Sequence, residues 1–292
     1  MNKYFYHIQL SIYLLIIGIL AVNIHIQMLN LGIPHPDGHY IKPAWMEPLK
    51  IFTQLIAVYW ISLKIKLKPH NNFKKIIILF LLFSAMMQLI LRLPLTSGYV
   101  NGGAFLFTWI AAYFPQLIWV LISSTLIVIL SASQKISKSK TYIISILGIY
   151  STLSWLIIIP LINNLTGGLL VFFTPANPQD ILLPPYDLTT TIIASLSFVE
   201  PTIAYFIIGL LVWDNDSKNK VIEAIKLIFV IMVISQSLVR HIAFVLNSDL
   251  PFVTTNLSVG QFTLEWIFVG IMISFLLPWY HKKVLPAKKV NT

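Results

Sequence analysis

Cysteine is absent from the 292 residues. Its absence excludes disulfides, thiolate-held iron–sulfur clusters, cysteine-ligated zinc and covalent c-type haem, and leaves imidazole, carboxylate and amide groups for any chemistry. Charge is scarce too: Asp, Glu, Lys and Arg make up 10% of the chain, against 57% hydrophobic residues and a mean hydropathy of +0.82. Such a chain cannot cover a water-soluble surface, so the composition reads as an integral membrane protein. Also missing are an H-E-x-x-H zinc motif, paired Asp-rich metal motifs and a Gly-x-Ser-x-Gly elbow, which weakens the case for a lipid-modifying membrane enzyme.

What the chain has in abundance is apolar sequence. Runs near 8–30, 45–63, 73–95, 104–131, 141–163, 188–213, 221–247 and 260–280 are each close to the length needed to span about 30 Å of hydrocarbon at about 1.5 Å per residue. The expected fold class is therefore all-α, with eight transmembrane helices. The first run has no small-residue cleavage site and reads as a retained helix. Apart from Lys42 and Lys50, every lysine falls at the N-terminus, in an even-numbered loop or in the C-terminal tail. This bias predicts cytoplasmic N- and C-termini in a multi-pass protein of the cell membrane. It also explains the net charge of +10 without a nucleic-acid partner, because the basic residues have no interleaved aromatic platform. Asn164 and Asn256 stand in N-x-S/T sequons on segments expected outside.

Three marks recur in order. Glu-Pro occurs at Glu47-Pro48 and Glu200-Pro201, each followed thirteen residues on by a tryptophan, Trp60 and Trp213. The only two arginines, Arg92 and Arg240, each have a glutamine four residues before them, Gln88 and Gln236. The pattern Gly-x-Phe-x-x-x-Trp-Ile runs from Gly103 to Ile110 and again from Gly260 to Ile267. The marks predict a duplication into two parallel four-helix repeats, helices 1–4 over residues 1–140 and helices 5–8 over residues 141–292, the second with a basic tail.

An intramembrane charge must be paired or reach water, so the repeats predict ion pairs among Glu47, Arg92, Glu200 and Arg240. These pairs read either as clamps between helices or as contacts for a substrate, proton or cofactor. Asymmetry between the repeats separates the two uses. His241 follows Arg240 where Leu93 follows Arg92, Glu265 stands where the first repeat has Thr108, and His25 has no counterpart. His25, His241, Glu265, Gln236 and Arg240 are accordingly the candidate cofactor-binding residues. His35, Asp37 and His39 in the first outer loop are weak metal candidates, since two imidazoles and a carboxylate within five residues also describe an ordinary polar loop.

The function expected from this pattern is a membrane subunit of a respiratory or redox electron-transfer complex. It would handle quinol or b-type haem near the outer face and dock other subunits of the complex there. A quinone site needs an apolar slot with His, carboxylate or amide groups on the ring oxygens, and a bis-His haem needs two facing imidazoles. The alternatives are a carrier or channel with a path between the repeats, a non-catalytic anchor, and a lipid-modifying enzyme. The cytoplasmic half is almost wholly apolar, which counts against a through-path.

Overall fold

A computed structural model describes residues 3–36, 41–66, 71–100, 113–133, 139–170 and 188–284. The described residues form helices and no strand. In chain order they are α1 (Lys3–Asn30), α2 (Met46–Lys64), α3 (Asn72–Met86), α4 (Arg92–Val100), α5 (Phe114–Ala132), α6 (Lys140–Leu153), α7 (Ile159–Leu170), α8 (Leu188–Ser197), α9 (Val199–Val212), α10 (Lys220–Ile234), α11 (Ser237–Asn247) and α12 (Phe252–Lys283). A π-helical turn, Ser154–Ile158, joins α6 to α7.

Among the described residues, five stretches are long and apolar enough to cross a bilayer: Tyr4–Asn30, Phe114–Ala132, Lys140–Gly167, Leu188–Val212 and Phe252–Lys283. The pair α10 and α11 makes a sixth if its 68° bend is counted within one span. The expectation of eight unbroken helices meets two local obstacles. Helix α2 carries Glu47, Lys50 and Lys64, and the run 73–95 stops being one helix at Met86. Part of the run 104–131, with the first copy of the Gly-x-Phe mark, lies outside the described residues.

Both breaks have the same cause. Gln88 and Gln236 adopt left-handed backbone, with φ of +65° and +62°, the only non-glycine residues with positive φ among those described. At the first break the N–H of Leu89 donates to the carbonyl of Ser84 at 2.9 Å and that of Gln88 to Ala85 at 3.0 Å. That is the Schellman closure of a helix end, built here on glutamine instead of glycine. At the second, Gln236 N–H donates to Val233 at 3.1 Å and the Ser237 hydroxyl to Met232 at 3.2 Å. Each glutamine's carbonyl then starts the next helix, accepting from Leu93 in one case and Arg240 in the other, both at 3.0 Å. Ser84, Gln88 and Arg92, spaced four residues apart in sequence, therefore do not share one helix face, because the helix ends between the first and last of them.

A left-handed residue with a Cβ costs about 1–2 kcal/mol. Gln236→Gly should recover that strain and lose the side-chain hydrogen bond described below, leaving stability within about 1 kcal/mol of the parent. Gln236→Val adds β-branching to the strain and should lose about 2 kcal/mol or more. Thermal unfolding in detergent separates the two; equal losses would mean that the side chain matters and the backbone does not.

The elements interlock across the chain. α1 packs on α8, α9 and α12, while α2 packs on α5, α6, α10 and α11. α9 packs in turn on α3 and α12, and α8 on α4. Their shared core is apolar, with Leu55, Leu79, Phe83, Phe198, Tyr205, Ile231 and Val269 fully buried. Two glycines permit close approaches to a neighbouring backbone. A Cβ on Gly18 of α1 would stand 3.2 Å from the Phe198 backbone where α8 meets α9, and one on Gly270 would stand 3.1 Å from the Cα of Ile228. The outer surface carries Ile149, Ile225, Phe229 and Phe275, as a surface bathed in hydrocarbon does. The sequons expected outside fall inside helices, Asn164 in α7 and Asn256 in α12, and so are not on the surface loops that glycosylation uses.

Candidate functional site

The two helix breaks face one cavity. It has a volume of about 260 Å³ and is walled by Gln88, Arg92 and Leu93 from the first break, Ser235, Ser237 and Arg240 from the second, and Val259, Phe262, Thr263, Glu265 and Trp266 from α12. The α12 residues recur at intervals of three and four, which is one face of a helix. Two arginines 148 positions apart in sequence thus line the same space.

Arg92 is held by three different groups. One guanidinium N–H donates to the Gln88 side-chain oxygen, the guanidinium lies 4.7 Å from the centroid of the Phe198 ring, and the backbone N–H donates to Glu200 at 2.6 Å. Its Nε–H is buried with no acceptor among the described residues. Glu200 also accepts from the N–H of Ile90 at 2.9 Å and of Leu91 at 3.0 Å. One carboxylate therefore satisfies three donors at the start of α4, where the partial positive charge of the helix end favours an anion. Glu200 is delivered there by the first turn of α9, next to Pro201.

Glu47, the other Glu-Pro glutamate, behaves differently. It accepts from the ammonium of Lys50 at 2.9 and 3.0 Å and faces a separate cavity. The expected pairs thus resolve into a Glu200 contact to the Arg92 backbone and a Glu47–Lys50 pair. Arg240 reaches over Phe262, its guanidinium carbon 5.9 Å from the ring centroid.

Phe262 is the hub of the site. The His25 ring stacks on it at 5.2 Å, and His35 meets it edge-on at 5.3 Å. His25 Nδ1 is hydrogen-bonded to Glu265, with both residues buried. The 1–2 loop is tied down over this end by Gln261, whose amide donates to the Pro34 carbonyl at 3.2 Å. α1 and α12 run side by side, which is why residues 240 apart in sequence meet.

His241 turns instead to α12 side chains. Its Nδ1 is 2.9 Å from the Thr263 hydroxyl and its Nε2 3.3 Å from the Asn256 amide oxygen. Gln236 donates to Gln54 at 2.8 Å, and Gln54 donates to the Ile234 carbonyl at 2.7 Å, so this glutamine splints α2 to the break. Of the sequence-derived candidates, Arg240 and Glu265 line the cavity, His25 binds Glu265, and His241 and Gln236 stand beside it. No group of three metal-ligating side chains occurs among the described residues. Asp37 and His39 lie outside those residues.

Gln88, Ser235, Ser237, Phe262 and Trp266 had no place among the sequence-derived site residues. One signal was present: Pro94 sits two residues after Arg92, and proline in a first turn marks a helix start.

No protein-family model matches the chain, and neither the curated proteins nor the solved structures yield a match.

Proposed function

We propose that the chain is an integral membrane subunit of a redox electron-transfer complex that binds a quinol in the cavity between the two helix breaks. The observation that carries this reading is the charge balance of the site. Arg92 and Arg240 stand against Glu200 and Glu265, so the cavity suits a neutral ligand better than an anion or a cation. Its walls are aromatic at Phe262 and Trp266, and its polar groups are a few N–H and O–H donors plus the Glu265–His25 pair. That is the composition of a pocket for a flat apolar ring bearing two oxygens.

The chemistry follows from the same residues. N–H donors of Arg92, Arg240 and Gln88 bind the ring oxygens, and Glu265 with His25 accepts the protons that a quinol releases on oxidation. The two electrons leave to an oxidant carried by a partner subunit docked on the outer face. Bis-His haem is the weaker variant, because both ring nitrogens of His241 are already hydrogen-bonded.

The finer architecture belongs to the same proposal: eight spans in the cell membrane, both termini cytoplasmic, and two repeats over residues 1–140 and 141–292. The matching left-handed glutamines support the duplication, as does the way α2 packs on α10 and α11 while α8 and α9 pack on α4 and α3. In this topology Glu265, His25 and both breaks lie in the outer half of the membrane. A carrier is the second reading, favoured by the placement of a cavity at broken helices, which recurs in secondary transporters.

The test is equilibrium titration of purified protein in lipid nanodiscs with a short-tailed benzoquinone, followed by tryptophan fluorescence. Saturable binding is expected, weakened about tenfold or more in Arg240→Leu through loss of a charge-assisted hydrogen bond of about 1.5–3 kcal/mol. Absence of saturable binding, with solute uptake by proteoliposomes, would replace this reading by the carrier.

A further inference from the structure

A second cavity also touches both helix breaks. It measures about 300 Å³ and contains Met87, next to the first left-handed glutamine, and Gln236, the second. Its polar wall is made of Glu47, Gln116, Asn163 and Gln236, and its apolar wall includes Trp119. The charge of Glu47 is matched by Lys50 on both carboxylate oxygens, so this cavity, like the first, suits a neutral ligand. Gln236 gives one of its two amide N–H groups to Gln54, and its oxygen is an acceptor.

One further group points to a ligand. Trp119 is 4% exposed, and its indole N–H is buried without an acceptor among the described residues. A buried donor left unpaired costs about 1–3 kcal/mol, so such groups ordinarily have a partner. The first cavity has the same feature in Arg92, whose Nε–H is likewise buried without an acceptor. Each cavity therefore combines balanced charge, an aromatic wall and one lining side chain with an unsatisfied N–H.

Resting on the quinol reading, we propose that the second cavity is a second site for the same class of ligand, a neutral ring carrying carbonyl or hydroxyl oxygens, so that each chain holds two. The indole N–H of Trp119 donates to one ring oxygen, and the amides of Gln116 and Asn163 stand beside the ring. The two sites differ in proton chemistry. The first has the buried Glu265–His25 pair, whereas the one carboxylate of the second is already bound to a lysine ammonium. The second site is thus suited to hold the ring without taking its protons.

The experiment is photolabelling of the nanodisc-held protein with a tritiated azido-benzoquinone, with stoichiometry counted and labelled peptides mapped. Two equivalents per chain are expected, one mapping to α12 and the other to α5 or α7. Trp119→Phe removes the N–H together with the five-membered ring that carries it and keeps one six-membered aromatic ring beside Phe83. It should weaken the second equivalent about fivefold, one ordinary hydrogen bond, and leave the first unchanged. Gln116→Leu is a second variant with the same expectation. A single equivalent that responds to Arg240→Leu and to neither of these variants overturns this inference and leaves the quinol reading standing. Two equivalents, both indifferent to Trp119→Phe and Gln116→Leu, overturn the assignment to this cavity. Failure to bind any equivalent overturns both proposals.

Discussion

Glu200→Ala is expected to destabilise the protein by about 3–5 kcal/mol. Three backbone N–H groups, of Ile90, Leu91 and Arg92, lose their acceptor at once in a place that water reaches poorly. Each orphaned donor costs about 1–3 kcal/mol, and part of the sum returns as the start of α4 frays toward other acceptors. Arg92 also loses a neighbouring anion while its guanidinium stays over Phe198. Glu200→Gln keeps one acceptor oxygen but sets an amide N–H against donors, so its loss should fall between that of alanine and zero. The control is Glu47→Ala, which occupies the same Glu-Pro sequence context. Its carboxylate is more than a third exposed and, among the described residues, bound to Lys50 alone, so the expected loss is below about 1 kcal/mol. Thermal unfolding in a single detergent decides the matter. Equal losses from the two glutamates would show that the three backbone bonds carry no special weight.

The second large effect is chemical. Glu265→Gln preserves the shape of the cavity and a hydrogen bond to His25, but an amide cannot accept a proton. If the cavity holds a quinol, oxidation by an artificial acceptor should fall about 10²–10⁴-fold while quinone binding changes little, as for loss of a general base. Glu265→Ala should add a stability loss of about 3–5 kcal/mol, because it leaves His25 without its buried partner. The double variant with His25→Ala distinguishes pairing from packing. A coupling of about 1–3 kcal/mol is expected, and additivity of the two single losses would mean that the pair is two independent fillers. An unaltered oxidation rate in Glu265→Gln would remove this residue from the proton chemistry.

Much of this site could be read from sequence because charge in hydrocarbon is so expensive that position alone singles it out. Two arginines and two glutamates in apolar runs required partners, and the repeated Gln-to-Arg spacing marked where the chain does something unusual twice. What it does there was not legible. A left-handed turn is ordinarily announced by glycine, and here glutamine occupies it both times, so each apolar run reads as one continuous helix. His241 drew attention as a residue without a twin, yet a one-residue step around a helix turns a side chain by about 100°, and His241 meets Thr263 and Asn256 while Arg240 faces the cavity. The His25–Glu265 pair depends on α1 lying against α12, a fact of tertiary packing that no spacing along the chain encodes.

The Glu200 contact also has a consequence in time. Glu200 lies 108 residues after Arg92, so the start of α4 has no carboxylate to receive it until that much more chain has been made. At about 5–20 residues per second, synthesis leaves the first break unfinished for roughly 5–20 s. Through that interval three backbone N–H groups and an arginine must be kept wet, beside the translocation machinery or at the membrane surface, and cannot settle among lipid tails. The first half of the chain is thus inserted as an unfinished part, and α9, made later, completes α4.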